Sequence, residues 1–156
     1  MDKTNAMRIL DRAKIEYRTY EYEHKEGFVD GVSVAERLCQ DVGKVFKTIV
    51  AVGANREYLV IVLPVDKEIN FKAAAKAFGV KSVEPVKVTD ITKVTGYIRG
   101  GCSPIGMKKL YRTVIDGSCR ELATVIVSAG KIGMQIELSV DELISLINAT
   151  VADITA

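Results

Sequence analysis

The residues whose types and spacing point most directly to chemistry lie at 95–109, where four glycines and one proline fall within fifteen positions. Glycine adopts positive φ and lets the backbone approach a ligand closely, whereas proline fixes φ and holds a turn. The segment Gly100-Gly101-Cys102-Ser103-Pro104 therefore predicts a shaped loop whose backbone amides face a bound group. An ordinary surface turn would show part of the same pattern, and these residues alone leave it open.

A phosphate-binding P-loop is excluded, although the segment Gly101-Cys-Ser-Pro-Ile-Gly106 has the glycine spacing of that motif. The P-loop requires Lys directly after the second Gly and then Ser or Thr for a magnesium ion. Here Met107 follows, and then two lysines. The loop must serve another kind of ligand or none.

Cys102 is a second candidate, because a thiol in a glycine-rich loop can act as a nucleophile when a neighbouring base activates it. The only histidine, His24, stands 78 positions earlier in a polar stretch. Without an activating base, the sequence favours an inert loop cysteine, since free Cys usually behaves as a small apolar side chain.

Lys47 lies in the apolar run Val45-Phe-Lys-Thr-Ile-Val-Ala-Val52. On a strand it shares a face with Val45, Ile49 and Ala51. A lysine on such a face either extends to solvent or points its ammonium into a pocket, and both readings stay open. In a pocket, it would provide a fixed positive charge for a phosphate or a polarised carbonyl.

Bulk properties set the limits within which these residues act. The chain has 156 residues, of which 48% are hydrophobic and 27% charged, and we expect one domain spanning residues 1–156. A net charge of +2 gives no argument for nucleic-acid binding. Three widely spaced cysteines, one histidine and no long apolar run predict a reduced, cytoplasmic protein without a membrane span or a histidine-based metal site.

Helices and strands alternate irregularly along the chain, and no repeat or linker divides it. Helix starts are expected after Thr4, Ser33, Asn70, Thr89 and Ser139, with Gly43, Gly79 and Gly96 closing the second, third and fourth helices. Strands are expected at 15–22, 45–52, 58–63, 113–115, 124–128 and 134–138, the third of them central in its sheet because it is almost wholly apolar. Short connections favour antiparallel pairing. The predicted fold class is α+β, a mixed α/β arrangement around one curved, largely antiparallel sheet with surrounding helices.

Four segments together resemble the YbaK family: Lys3-Thr-Asn-Ala-Met, Val45-Phe-Lys-Thr, Gly96-Tyr-Ile-Arg-Gly-Gly-Cys-Ser-Pro-Ile-Gly and Ser128-Ala-Gly-Lys. The likeness runs in the same order along essentially the whole chain. The type that it resembles is the Cys-tRNA(Pro) deacylases, which are related to the editing domain of bacterial prolyl-tRNA synthetases. The resemblance implies the same fold, trans-editing of mischarged tRNA, and no cofactor or metal. A second, hydrolytic site is useful because a pocket that only encloses a small side chain discriminates poorly between cysteine and proline.

The resemblance also assigns partners and site residues. The partners are the acceptor end of tRNA(Pro) and, transiently, prolyl-tRNA synthetase, with no membrane involved. Lys47 would hold the acceptor end near the ester, and the amides of the Gly100–Pro104 loop would position the aminoacyl group and offset charge on its carbonyl. The residues implied in catalysis are Lys47, Gly100 and Gly101; those implied in substrate binding are Tyr20, Phe28, Cys102, Ser103, Pro104, Ser128, Gly130 and Gln135.

The mechanism implied by the resemblance uses the substrate's own thiol to attack its ester carbonyl, and direct attack by water is the competing route. Gln135 departs from better-known members, which carry Asp there, and so does Ile132, where they carry Arg. An aspartate would hold the substrate's α-ammonium by charge, whereas a glutamine would accept only through its amide oxygen. Three alternatives remain: a deacylase for another small residue, such as Ala-tRNA(Pro); a non-catalytic module that binds the acceptor end or the synthetase; and a thiol-dependent redox enzyme, which the lack of a resolving cysteine pair and of a basic partner disfavours.

Overall fold

The structure is a computed structural model that describes residues 3–24 and 30–156. Phe28, for which the sequence predicts a substrate contact, lies outside the described residues. Five α-helices and eight strands are present in the described part. The helices are α1 (Asn5–Arg12), α2 (Gly31–Arg37), α3 (Phe71–Phe78), α4 (Ile91–Thr95) and α5 (Val140–Ile147). The strands are β1 (Tyr17–Glu21), β2 (Phe46–Gly53), β3 (Tyr58–Pro64), β4 (Val83–Pro85), β5 (Arg112–Asp116), β6 (Thr124–Ser128), β7 (Met134–Ser139) and β8 (Thr150–Ala152).

The mixed α/β class is confirmed, but the strands divide into two sheets rather than one. A three-stranded antiparallel sheet has the order β1-β7-β6, and a five-stranded sheet has the order β4-β2-β3-β5-β8. The central position expected for β3 is confirmed. Its pairing with β5 is parallel, as is that of β5 with β8, so the second sheet is mixed.

A single parallel bridge between Val45 and Ile126 joins the two sheets. One apolar core lies against the smaller sheet and contains buried residues of α1 and α5. A second lies against the larger sheet and is closed by α3. Burial of Leu59, Ile61 and Leu63 in this core and of Val60 and Val62 in the other explains why β3 is apolar on both faces.

Most of the expected helix caps are confirmed. Thr4, Asn70 and Ser139 each accept a hydrogen bond from the backbone amide three residues later, which satisfies a donor that the first turn leaves unpaired. Gly79 and Gly96 end α3 and α4 in the left-handed conformation that glycine adopts without strain.

The cap expected at Ser33 is wrong. Asp30 caps α2 instead, accepting from the Ser33 amide at 2.9 Å, so the helix begins three residues earlier. It also ends before Gly43, because the chain turns at Leu38 and Cys39, the latter with a φ of 52°. The cap expected at Thr89 is wrong as well, since α4 begins after Asp90 without a side-chain cap. Strands β4 and β8 were not predicted. Each has three residues, which is too short for an alternation of apolar and polar residues to indicate a strand.

A partly buried carboxylate ties the 3₁₀ turn Val42–Lys44 to the smaller sheet. Glu137 accepts hydrogen bonds from Tyr20 Oη at 2.6 Å, from Lys44 Nζ at 3.0 Å and from Thr124 Oγ1. Burial alone would raise the pKa of Glu137, but these three donors outweigh it and lower the pKa to about 2. Because β2 follows this turn directly, the network helps to fix where the larger sheet begins relative to the smaller one.

We predict that Glu137→Gln removes an acid-sensitive part of the stability. The pKa of Glu137 is lower in the folded than in the unfolded chain, so its contribution is complete above about pH 4.5 and is lost as the pH falls toward 2. At pH 7 the charged form contributes up to about 3 kcal/mol. Urea unfolding at pH 7 and pH 3 measures this: the difference between wild type and Glu137→Gln should shrink at the lower pH. An equal difference at both pH values would contradict it.

Candidate active site

A cavity of about 450 Å³ opens beside the junction of the two sheets. Its size is typical of a small-molecule site. Most of the lining that the described residues contribute is apolar, and the charged residues among them are Asp30, Lys47 and Arg99. The other lining residues are Tyr22, Gly31, Val32, Val34, Val45, Phe46, Thr48, Ile49, Val50, Val65, Pro85, Val86, Val88, Ile91, Gly100, Cys102, Ser128, Met134 and Gln135.

The bridge between the sheets explains how polar residues from distant parts of the chain come together. Val45 and Ile126 pair in parallel, and the residues two positions further on, Lys47 and Ser128, both line the cavity. Side chains two positions apart on a strand share a face. Gln135 pairs with Ser128 across β6 and β7 and lines the same cavity. Lys47, Ser128 and Gln135, which the sequence places at the site, therefore line the same cavity. The bridge brings β2 and β6 together at one point, and the cavity opens where the two strands separate beyond it.

Lys47 lines the cavity with Val45 and Ile49, which share its strand face, but residues of the other face, Phe46, Thr48 and Val50, line it as well. It is partly exposed, and it forms no hydrogen bond or ion pair with any residue in 3–24 or 30–156. An ammonium group without a protein partner, on a wall that is otherwise apolar, can meet a negative or polarised oxygen of a bound molecule. The structure thus favours the interpretation that the Lys47 ammonium serves a pocket over the interpretation that it only extends to solvent.

The glycine loop contributes to the cavity in part. Gly100, with a φ of 86°, and Cys102 line it. Gly101 instead packs against the turn between β6 and β7, where a Cβ would lie 2.9 Å from the Ile132 nitrogen. Its amide donates to the Ile98 carbonyl at 3.0 Å, so this N–H holds the loop rather than facing the cavity.

The cavity lining also lacks three residues for which the sequence predicts substrate contacts: Ser103, Pro104 and Gly130. They lie next in the chain to, or close to, residues that do line it. Ser103 is fully buried and its Oγ accepts from the Ile105 amide. Gly130 has a φ of 98°, its amide donates to Ser128 Oγ at 3.1 Å, and a Cβ there would meet the Tyr97 ring. These residues position Cys102 and Ser128, which line the cavity.

The Cys102 thiol is not activated. Burial raises its pKa to about 11, and a hydrogen bond with Thr95 opposes this only in part. At neutral pH the group is therefore a thiol and not the thiolate that a nucleophile requires. This agrees with the interpretation of Cys102 as an inert member of the loop.

Two tyrosines lie at the end of β1. Tyr22 lines the cavity, whereas Tyr20, for which the sequence predicts a substrate contact, does not. Tyr20 packs against the small cluster of Ala35, Val45 and Ile126, and its hydroxyl donates to Glu137. The sequence places both tyrosines on one strand face, since they are two positions apart. It does not reveal that α2 covers the first and leaves the second beside the opening.

Gln135 is 6% exposed, and its Oε1 accepts from Gln40 Nε2 at 2.7 Å. The sequence suggests that this glutamine offers its oxygen to the substrate; that oxygen already accepts one hydrogen bond and can accept a second, so the expectation stays a prediction. Gln40 lies just after α2 and carries no sequence signal. Asp30 and Arg99 were missed as well, although Arg99 stands directly before the glycine loop, a position that could have drawn attention to it.

Comparisons with known proteins agree with this geometry. The family model for the aminoacyl-tRNA editing domain matches residues 29–146. The candidate Cys-tRNA(Pro)/Cys-tRNA(Cys) deacylase EbsC of Enterococcus faecalis is 46% identical over 153 residues, which cover 98% of this chain and 93% of EbsC. The chain therefore belongs to the aminoacyl-tRNA editing-domain family, and the resemblance to YbaK proteins is confirmed.

Solved structures support the fold. One crystal structure, of a candidate trans-editing enzyme for prolyl-tRNA synthetase, superposes with a TM-score of 0.82 at 17% identity, with 99% of each chain covered. Another, of a hypothetical protein, superposes with a TM-score of 0.86 at 20% identity and covers 96% of this chain and 98% of that one. Within the part of the chain that the structure describes, no helix has the length and apolar character that crossing a bilayer requires.

We predict that Gly101→Ala destabilises the protein by about 1–3 kcal/mol, because the new Cβ would press on the backbone at Lys131 and Ile132, which cannot yield easily. Gly43→Ala is the matched control, since a Cβ there meets only the Asp41 side chain at 3.3 Å. Urea unfolding of both variants measures the difference. Equal free energies of unfolding for the two variants would contradict the prediction, since they would show that the glycine loop can move away from the turn between β6 and β7 without loss of stability.

Proposed function

We propose that this aminoacyl-tRNA deacylase hydrolyses mischarged Cys-tRNA(Pro) in trans. The observation that carries the proposal is Lys47, an ammonium without a partner in the described residues, at the wall of a cavity in a chain 46% identical to EbsC. The cavity holds the aminoacyl group and the terminal nucleoside, and the single domain of residues 1–156 acts without a cofactor.

The reaction begins with the substrate's own thiol. Its sulfur attacks the ester carbonyl, a C–S bond forms and the C–O bond to the ribose breaks. The thiol proton passes to the ribose oxygen, so the products are tRNA with a free hydroxyl and a cysteine thiolactone, which water then opens to cysteine. Intramolecular attack needs mainly orientation, which contributes effective molarities of ~10⁵ M or more when the groups are well held.

The protein's part in this step is charge and position. Lys47 faces the oxygen that gains negative charge as the sulfur attacks, since a fixed cation at that place stabilises the transition state more than the ground state. Gly100 lets the chain pass close to the ester because it adopts a positive φ. Cys102 takes no covalent part, in keeping with its raised pKa.

A basic segment at the edge of the cavity supports a nucleic-acid partner. Residues 81–109 carry six basic and two acidic side chains, whereas the rest of the chain carries sixteen and eighteen. Seven residues of this segment line the cavity: Pro85, Val86, Val88, Ile91, Arg99, Gly100 and Cys102. The overall charge of +2 conceals this uneven distribution, and a positive segment beside the cavity would attract the phosphates of an acceptor stem.

The lysines of the basic segment are available for phosphates. Lys87 and Lys93 are exposed and form no ion pair with a described residue. Lys108 Nζ donates to the Lys93 carbonyl at 3.2 Å, which holds the Lys108 side chain against α4. Selection of tRNA(Pro) falls to prolyl-tRNA synthetase, a transient partner, and the reaction takes place in the cytoplasm, where the mischarged tRNA arises.

We predict that the purified protein releases cysteine from Cys-tRNA(Pro) and that Lys47→Ala lowers kcat/KM by at least ~100-fold, because one well-placed charge contributes that much to an oxyanion. Ala-tRNA(Pro) should be cleaved far more slowly, because alanine has no thiol. Release of labelled amino acid is the measurement. Lys76→Ala, on the exposed surface of α3, is the control.

Each other outcome has a definite meaning. Equal cleavage of both esters would exclude thiol assistance and favour a deacylase for small residues that uses water. Retention of tRNA without cleavage would favour a binding module. Cys102→Ala should keep near-normal activity, and loss of all activity in that variant would contradict the substrate-thiol mechanism.

We further predict that replacing Lys87, Lys93 and Lys108 by Gln raises KM for the tRNA ester and weakens its dependence on salt. Each phosphate contact that is lost lowers the slope of log KM against log salt by about 0.7–0.9. Replacing Lys67, Lys72 and Lys76, which lie outside the basic segment, changes the net charge equally and is the control. If both triple variants have the same slope, the basic segment makes no phosphate contacts.

A further inference from the structure

We infer that an aminoacyl ester binds this cavity as one added strand residue on the open edge of β2: the Thr48 N–H donates to its carbonyl oxygen, and the Thr48 C=O accepts from its α-ammonium. This orientation rests on the proposed function and adds a backbone donor to the charge of Lys47. It also explains why six consecutive residues, Val45 to Val50, line the cavity. Side chains on one face of a strand would account for three of them.

The hydrogen bonds between β2 and β3 fix which way each backbone group of β2 points. In an antiparallel pair, successive residues direct their N–H and C=O groups alternately toward the partner strand and away from it. At one end of the pairing, Gly53 donates to the Glu57 carbonyl at 2.9 Å. At the other end, the Val45 carbonyl accepts from the Val65 amide at 2.9 Å. The register between these ends is continuous, so odd-numbered residues face β3 and Thr48 directs both of its backbone groups away from it.

On its other side, β2 has partners at its two ends and a gap between them. The bridge to β6 holds the chain at Val45, and the Val50 carbonyl accepts from the Val86 amide at 3.1 Å, just after β4. Thr48 lies between these two contacts, and its N–H and C=O form no hydrogen bond with a residue in 3–24 or 30–156. The cavity is on this side of β2, because Val86 and Ser128 both line it.

Strand β6 turns a second open edge toward the same gap. Val140 donates to the Ala123 carbonyl at 3.1 Å, and the Ala129 amide donates to the next strand, to Met134, at 3.0 Å. Odd-numbered residues of β6 therefore face β7, and Ser128 directs its backbone groups toward the side where β2 lies. The cavity is thus a gap between two strands, and a short extended group fits between their edges.

The extent of the open edge indicates the class of ligand. Between the bridge and the bond to Val86, Thr48 offers a complete pair of one backbone donor and one backbone acceptor. An aminoacyl ester carries one carbonyl acceptor and one amino donor in the arrangement of a single strand residue. It pairs with such an edge as the first residue of an added peptide strand would. A longer peptide would meet β4 at one end and β6 at the other.

The same contact serves the proposed reaction. As the substrate's sulfur attacks, the carbonyl oxygen gains negative charge, and a donor already aimed at it stabilises the transition state. The Thr48 N–H is held in place because its neighbours, Lys47 and Ile49, are both bonded to β3. Lys47 directly precedes Thr48, so its ammonium and the Thr48 N–H meet the same oxygen from adjacent positions of one strand.

Amide hydrogen exchange, followed residue by residue by NMR, tests whether the edge is open and whether a ligand closes it. The probe is cysteine joined by an amide to 3′-amino-3′-deoxyadenosine, in which the amide replaces the labile ester. In the free protein, the Thr48 amide should exchange at least ~100-fold faster than those of Lys47 and Ile49, which bond to β3. Probe at about 100 times its Kd should slow exchange at Thr48 at least ~10-fold, because few sites stay empty.

Thr19 is the matched control, because it is a threonine on an open strand edge outside the cavity lining. Tyr22 donates to the Gly133 carbonyl at 2.9 Å, so even-numbered residues of β1 face β7 and Thr19 faces away from it. Exchange at Thr19 should be fast with and without the probe.

A backbone substitution tests what the contact contributes. In one variant the α-hydroxy acid analogue of threonine replaces Thr48, so that an ester oxygen takes the place of the N–H and the side chain is kept. The same replacement at Thr19 changes the other open edge in the same way, and the two variants should have similar free energies of unfolding. We expect the Thr48 variant alone to bind the probe roughly 10-fold more weakly and to cleave Cys-tRNA(Pro) roughly 100-fold more slowly.

A second probe, in which hydrogen replaces the ammonium, tests the other half of the pair. It should bind wild type roughly 10-fold more weakly than the first probe, since it lacks a charge-assisted hydrogen bond. At the same ratio to its own Kd, it should still slow exchange at Thr48.

The orientation is ruled out if the Thr48 amide of the free protein exchanges as slowly as that of Lys47, or if the first probe slows Ser128 and leaves Thr48 unchanged. It is also ruled out if the two backbone variants bind the probe equally, if loss of the ammonium leaves the affinity unchanged, or if wild type binds neither probe. Cleavage of Cys-tRNA(Pro) by wild type is measured separately. Binding with the expected pattern, but without cleavage, would refute the proposed function and leave the backbone contact standing.

Discussion

One backbone bridge, between Val45 and Ile126, determines where the cavity forms in this protein. The two sheets meet there and share no further pairing among the described residues, so the strands separate beyond it. The gap between them is lined by residues whose spacing is set by the strands themselves: Lys47 on one side, Ser128 and Gln135 on the other. A site built on strand positions is held more rigidly than one built on loops. The Glu137 network on the neighbouring turn fixes the angle of the junction, and so it supports the site without touching it.

The polarity of the cavity follows from the same construction. Positive charge comes from β2 and from the residue before the glycine loop, and negative charge comes from the cap of α2. A cavity that holds both signs of charge can orient the amino and ester ends that every aminoacyl group carries. Charge of this kind orients the substrate without distinguishing one amino acid from another, so an editing site must draw its discrimination from the atoms of the side chain.

The sequence predicted the elements better than their arrangement. Caps such as Thr4, Asn70 and Ser139 are local, since a side chain meets an amide three residues away, and a local pattern contains the whole interaction. The division into two sheets depends on contacts between residues about eighty positions apart, and no local pattern contains it. The same reason explains the site: Lys47 and the glycine loop are visible as motifs, whereas Asp30, Tyr22 and Gln40 take their places only because α2 folds over the end of β1. The side chain of Gln135 is held by a hydrogen bond to a partner 95 positions away.

The proposed chemistry asks little of the protein beyond this placement. A catalytic triad needs three side chains aligned within hydrogen-bond reach, and each member must have a pKa matched to its task. If the nucleophile belongs to the substrate, the protein needs only to hold one ester, bring the thiol to its carbonyl and stabilise one developing charge. A lysine on a strand, a close-approaching glycine and a largely apolar cavity suffice for that. Under this chemistry an aminoacyl residue that brings no thiol would be bound without being activated, whereas any cysteinyl ester that reaches the cavity would be open to cleavage, so the choice among cysteinyl esters must come from the tRNA and from the proteins that deliver it.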